Sequence, residues 1–240
     1  MIEKKKLYDL CIVGAGISGL NALFVATKYL DKNSKVLLID KKNKAGGMWN
    51  SCYDHVRLHQ PYIFFTVGNI SWNIKKKKNY LATKPEIISY LNYCLEKLSK
   101  KVNLEVKYDC TFISNYEQEI DNEFIATSTY RTKGDDFQVY SKKLIKTLGN
   151  DYSPHEPFPT SSKNVKSIIQ EDFPIRISEI IKSKKPIYII GGGKSGADAA
   201  DYLIRNCKEN KIHLLAGRGT LFEDRGEVFP IGLKRYMGGT

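Results

Sequence analysis

The sequence has no uninterrupted apolar run approaching the roughly 20 residues that a membrane-crossing helix requires, and this argues against an integral membrane protein. It also lacks any Cys-x-x-Cys pair. The 5 cysteines, Cys11, Cys52, Cys94, Cys110 and Cys207, are scattered, so neither a zinc site nor a dithiol redox centre is expected, and a reducing, cytoplasmic setting fits best. A signal peptide is not expected either. The charged start Met1–Lys6 is followed by an apolar stretch that is broken by Asp9 and flows into a glycine motif, which is the pattern of a first β-strand. The formal charge of +12 is spread along the chain instead of being gathered on one segment, and the run Lys75-Lys76-Lys77-Lys78 reads as a solvated loop. Nucleic acid is therefore not an expected partner. What is present is ordinary for a soluble globular chain: 42% hydrophobic and 27% charged residues over a length of 240, enough for a substantial core and one or two domains.

Tyr8 to Val13 is a short apolar run rich in β-formers, and from Ile17 the apolar residues Leu20, Leu23, Phe24 and Leu30 recur at helical spacing. Lys35 to Asp40 reads as a second buried strand, so residues 7–40 form one βαβ unit. Residues 41–82 carry Gly, His and aromatics without periodicity and read as a functional loop region. Thr83-Lys84-Pro85-Glu86 has capping-box spacing, and Ile87, Ile88, Leu91, Leu95 and Leu98 continue it as a helix to about Lys100. The pieces Val102–Val106, Phe124–Thr129, Phe137–Tyr140 and Leu144–Leu148 read as strands of a β-meander attached to the first sheet. Pro154, Pro157 and Pro159 mark a linker. Beyond it Pro186–Ile190 reads as a buried strand, Lys194–Asn206 as a helix and Lys211–Ala216 as a further strand, which repeats the first unit.

Gly14-Ala15-Gly16-Ile17-Ser18-Gly19 fits G-x-G-x-x-G between a strand and a helix. The first glycine makes the tight turn, the second lets the backbone approach a pyrophosphate, and the third allows close helix–strand packing. The helix N-terminus then offers free N–H groups to the phosphates. Asp40, at the end of the second strand, is placed to accept a hydrogen bond from a ribose hydroxyl, with Lys41 beside it. Gly191-Gly192-Gly193-Lys194-Ser195-Gly196 repeats the pattern, with Gly191, Gly193 and Gly196 in the three glycine places and Ser195 in the first helical turn. The strand after it ends at Arg218, not at an acid, and a guanidinium there suits a 2′-phosphate, favouring NADPH over NADH.

Together these residues resemble the flavin-containing monooxygenases, in particular the branch that includes the plant YUCCA enzymes. The likeness is carried by the first glycine motif, by Gly46-Gly47-Met48-Trp49, by Val56-Arg57-Leu58-His59-Gln60-Pro61, by Thr147-Leu148-Gly149 leading into the Pro-rich linker, and by Gly191 to Asp198. It implies FAD and NADPH as cofactors and an α/β fold of two Rossmann-like dinucleotide-binding units with parallel sheets plus a meander. FAD would lie on Gly14, Gly16, Ser18, Gly19, Asp40, Lys41, Gly47, Met48, Trp49, His59 and Gly149. NADPH would lie on Gly191, Gly193, Ser195, Gly196 and Arg218. His59 and Gln60 are the candidates beside the flavin ring. The implied reaction is oxygenation of a small organic substrate by O2 through a flavin C4a-hydroperoxide. No metal is expected to take part.

The expected organisation is an FAD domain at 1–150, a linker and connecting segment at 151–185, and a partial NADPH domain at 186–240. The family's Phe-x-Gly-x-x-x-His fingerprint is not found, and Ile168 to Phe173 stands in its place. Family members continue past the second unit and return to the first, so the second unit is expected to be incomplete and the chain to be a fragment, a split product or a degenerate enzyme. Two alternatives follow. One is a non-catalytic nucleotide-binding protein that complements a partner, either a second copy or another chain. The other is a flavin disulfide reductase-like oxidoreductase, which the scattered cysteines disfavour.

Overall fold

The computed structural model describes residues 6–120, 122–149 and 153–217. They fall into two compact units. The first comprises residues 6–51, 63–76 and 85–149; the second comprises 52–62, 77–84 and 153–217.

In the first unit, β1 (Leu7–Tyr8) and β2 (Leu10–Val13) lead into α1 (Ile17–Ala26) and β3 (Lys35–Ile39). The helix α2 (Lys84–Ser99) and β4 (Asn103–Lys107) follow. After the meander of β5 (Thr111–Ile120), β6 (Glu123–Thr132) and β7 (Asp135–Ser141), the chain returns as β8 (Leu144–Lys146). A parallel sheet has the order β4-β3-β2-β8, with Leu10 opposite Val36 and Cys11 opposite Leu144. All four residues of β2 and the last four of β3 are buried, as expected of strands covered on both faces, which is why they read as unbroken apolar runs.

Four strand-like segments were expected in one meander, and the structure divides them. β4 and β8 belong to the parallel sheet, while β6 and β7 pair antiparallel in a second sheet of order β1-β7-β6-β5. Their further partner, β5, had no counterpart in the sequence reading, because Thr111–Ile120 is largely polar and half-exposed. The β6–β7 turn is Lys133-Gly134, both at positive φ, which is the backbone a two-residue hairpin loop of right-handed twist demands. Tyr8, Cys11, Leu37, Ile39, Tyr130 and Val139 form the core that joins the two sheets.

The second unit begins with a ribbon. Leu58 donates its N–H to Ala82 and Tyr62 to Tyr80, and Lys84 donates to Val56, so residues 56–62 run antiparallel to 80–84. Then come α3 (Phe173–Ser183), β9 (Ile187–Ile190), α4 (Lys194–Asn206) and β10 (Ile212–Leu215). Residues 153–169 carry no helix or strand, but the remainder of the expected connecting segment forms α3. β9 and β10 pair in parallel, Ile187 opposite Ile212 and Ile190 opposite Leu215. Among the described residues this second parallel sheet has two strands. Phe173, Ile189, Ala199, Leu203 and Cys207 form its core, with Ile177 and Ile180 of α3 packed on it. β9 was expected to be buried throughout. Tyr188 and Ile190 are 60% and 64% exposed, because the strand alternates faces and one face carries the helices.

Candidate dinucleotide sites

The first glycine motif is a tight turn between β2 and α1. Gly14 sits at φ +102, and a Cβ there would lie 2.3 Å from the Thr147 carbonyl oxygen; a Cβ on Gly19 would lie 1.7 Å from the carbonyl of Gly14. No other residue type fits either position. Thr147, absent from the expected site residues, closes the turn: its hydroxyl donates to Val13 O at 2.6 Å, and its N–H donates to the same carbonyl at 2.8 Å. Asp40, expected to face a ribose, is only 6% exposed. Its carboxylate accepts the N–H of Ala15 at 2.6 Å and that of Lys42 at 2.7 Å. The acid therefore ties the glycine turn to the end of β3, with lone pairs left for a ligand hydroxyl.

The Gly46-Gly47 turn lies against this motif, Gly46 donating its N–H to Ala15 O at 3.0 Å. Lys41, Ser18 and Met48 are exposed, whereas Trp49 is buried edge-on against Phe65 at 5.9 Å. Gly149 is at φ +64 with open space where a Cβ would be. The backbone groups around Gly16 and the first turn of α1, which no side chain caps, suit a pyrophosphate.

The second glycine motif reproduces the first. Gly16 caps α1 at φ −83, ψ −171, and Gly193 caps α4 at φ −81, ψ −174. Leu20 donates to Gly16 O at 3.0 Å, and Ala197 donates to Gly193 O at 3.0 Å. Gly191 is at φ +119, and a Cβ on Gly196 would lie 2.0 Å from its carbonyl. Ser195 and Lys194 are exposed on the first turn of α4. Arg218, the expected 2′-phosphate ligand, lies outside the described residues.

His59 and Gln60 lie on the ribbon of the second unit, His59 exposed and Gln60 half-buried. The same ribbon carries two residues that the sequence did not single out. Tyr53, 6% exposed, donates its hydroxyl to Asp198 Oδ2 at 2.7 Å. Burial, then the bond to Asp198, hold its phenol far above the ordinary tyrosine range. His55 stacks among Tyr202, Tyr53 and Phe173, with ring centroids at 4.5, 4.6 and 5.7 Å. Its Nε2 lies 3.2 Å from Gln170 Oε1, and Gln170 donates its amide to Ser195 O at 2.9 Å. Burial lowers the His55 imidazole below its ordinary value, so it is neutral near pH 7. Nothing in the spacing of a lone Tyr-x-His pair on an extended segment announces this cluster.

All five cysteines are free and buried, with burial pushing the thiols of Cys11 and Cys94 up to about 11. Among the described residues no helix is long and apolar enough to cross a membrane, and no group of three His, Cys, Asp or Glu side chains could hold a metal.

Known proteins resemble this chain in sequence and in fold. A family model for an NAD(P)-binding Rossmann-like domain matches residues 12–75, and the model for L-lysine 6-monooxygenase/L-ornithine 5-monooxygenase matches residues 71–227. A ferredoxin–NADP reductase of Malacoplasma penetrans is 24% identical over 229 residues, 91% of this chain and 60% of that protein. Among solved structures, a variant flavin monooxygenase from Stenotrophomonas maltophilia superposes with a TM-score of 0.61 at 16% identity, covering 92% of this chain and 60% of that one. An ornithine N-hydroxylase of Kutzneria sp. 744 superposes with a TM-score of 0.60 at 15% identity, covering 98% and 60%. The chain spans between 41% and 60% of the length of the curated relatives it matches. The fold is the α/β, Rossmann-like one expected, the matching domain model is NAD(P)-binding, the Kutzneria enzyme's structure holds FAD and NADP+, and the YUCCA-like branch is not singled out. By its match over more than half its length, the chain belongs to the L-lysine 6-monooxygenase/L-ornithine 5-monooxygenase family.

Proposed function

We propose that this chain acts as an FAD- and NADPH-dependent monooxygenase, or as the two-nucleotide part of one, using O2 on a small organic substrate, an amine by the precedent of the family name. The observation that carries this reading is the paired glycine turns, which share backbone geometry within one chain. One turn suffices for a flavin alone. Two suit a flavin and the pyridine nucleotide that reduces it.

When bound, FAD and NADPH supply the redox chemistry. The protein's residues bind and orient. Gly14, Gly16 and Gly19 bring backbone close to one pyrophosphate, with Ser18 on the exposed first turn of α1. Asp40 fixes that turn through Ala15, and Lys41, Gly47 and Met48 line its neighbourhood. Gly191, Gly193, Gly196 and Ser195 form the equivalent cradle for NADPH, with Arg218 proposed for its 2′-phosphate. His59 and Gln60 remain our candidates beside the flavin ring. A cytoplasmic setting, and a second copy or complementing chain as partner, belong to the same proposal.

The test is spectroscopic. Purified protein reconstituted with FAD absorbs in the visible, is bleached by NADPH, recovers in air, and yields a hydroxylated amine; a colourless protein that cannot take up FAD overturns the reading. A second reading is an NADPH-dependent reductase without oxygenation, favoured by the ferredoxin–NADP reductase match. Reduction of an added electron carrier without hydroxylated product would select it. A nucleotide-binding, non-catalytic chain would take up FAD yet oxidise NADPH no faster than free flavin does.

A further inference from the structure

The first turn of α4 is held by side chains from the ribbon and from the segment before α3, by two routes, and the Tyr53 hydroxyl also interacts with the Ser195 side chain. Along one, the Tyr53 hydroxyl donates to Asp198 Oδ2 at 2.7 Å, and the same carboxylate oxygen accepts from the Lys194 ammonium one helical turn earlier. Along the other, Gln170 donates its amide to Ser195 O at 2.9 Å and presents Oε1 to His55. Because the Gln170 nitrogen is committed to Ser195, its oxygen faces the imidazole as acceptor, so His55 Nε2 carries the proton. The His55 ring is clamped by Tyr53, Phe173 and Tyr202. Both routes end on Lys194 and Ser195, the residues that follow the glycine cap of α4.

Lys194 is 40% exposed at its side chain and Asp198 18%. Asp198 lies one helical turn beyond Lys194, so the ion pair fixes the ammonium over the first turn of α4, and the Tyr53 hydroxyl orients the largely buried carboxylate. A cation fixed beforehand on the turn that receives phosphates removes part of the ordering cost of binding them.

We infer that Tyr53 and His55 are positioning residues of the second dinucleotide site: through Asp198 and Gln170 they hold Lys194 and the first turn of α4 where a pyridine nucleotide's phosphates bind. The inference rests on the reading of that site as the NADPH site. Neither residue touches the nucleotide, and each acts through another side chain.

The test titrates the full-length, FAD-loaded chain with NADP+. Tyr53→Phe keeps the ring and loses the hydroxyl's bond to the Asp198 carboxylate together with its interaction with Ser195, so NADP+ affinity falls about fivefold to tenfold while FAD content is unchanged. In a Lys194→Met background the same substitution changes NADP+ affinity by no more than about twofold, since the cation it positions is gone. His55→Phe, which keeps the stack but loses the donor to Gln170, weakens NADP+ in the same direction and serves if Tyr53→Phe folds poorly. Wild-type affinity in both Tyr53→Phe and His55→Phe, or an equal loss from Tyr53→Phe with and without Lys194, overturns the inference. A wild-type chain that binds FAD but no NADP+ overturns the functional reading of the site and the inference together, and so is told apart from failure of the inference alone.

Discussion

Gly19 tolerates no side chain, since a Cβ there would overlap the Gly14 carbonyl on which the whole turn is built. Gly19→Ala is expected to push α1 away from β2, costing about 1–3 kcal/mol of stability and abolishing the flavin absorbance of the reconstituted protein; thermal melts and a visible spectrum check both. At His55 the consequence is one of pH. Burial is the largest influence and lowers the pKa; the hydrogen bond with Gln170, then Asp198 and Glu171, oppose it, and Lys194 reinforces it. The unfolded chain therefore holds the proton more tightly than the folded one. Stability associated with this residue is intact above the ordinary histidine value of about 6.5 and is lost as pH falls from there through the folded value. Urea unfolding at pH 8 and pH 5.5 should show a steeper decline for the wild type than for His55→Phe. The glycines were legible because their chemistry is local. His55 was not, since its partners Gln170 and Tyr202 lie more than a hundred residues away in sequence, and an isolated loop histidine carries no periodic signal.

Among the elements, α1, β3, α2 and α4 were legible from period and punctuation, and α4 matches its expected span residue for residue. α3 was readable in principle: Pro174 stands in its first turn, and Phe173, Ile177 and Ile180 recur at helical spacing and all pack on one core. Its place within a stretch opening on three prolines obscured it. β5 was not readable by composition, because its register is imposed by β6 across a long antiparallel ladder. Tertiary pairing outweighs weak strand propensity there. A buried leucine of α4 makes the element's contribution measurable. Leu203 is 1% exposed, so Leu203→Ala should cost about 2–5 kcal/mol in chemical denaturation and weaken NADP+ before it weakens FAD.

For the molecule as a whole, the sequence suggested two similar half-repeats with the second unit incomplete, and among the described residues the parallel sheet of the second unit has two strands where that of the first has four. The face of the second sheet that carries Tyr188, Ile190 and Leu215 leaves them 60%, 64% and 50% exposed, with Tyr188 stacked on His213 at 4.7 Å. An apolar face of this kind on a chain of charge +12 should bind a hydrophobic dye without bringing the protein out of solution at low salt. Dye fluorescence is expected to fall markedly in an Ile190→Lys, Leu215→Lys double variant, and an unchanged signal would place the dye elsewhere.

The ribbon of residues 52–62 and 77–84 has a consequence for modularity. These segments are encoded between parts of the first unit yet pack with the second, so no single cut in the polypeptide yields both units whole. A gene fusion or exchange that transfers residues 153–217 as a cassette leaves behind Tyr53 and His55, and with them the hydrogen bonds to Asp198 and Gln170. An exchange that keeps those bonds has to carry residues 52–62 along with 153–217, and so spans most of the first unit as well.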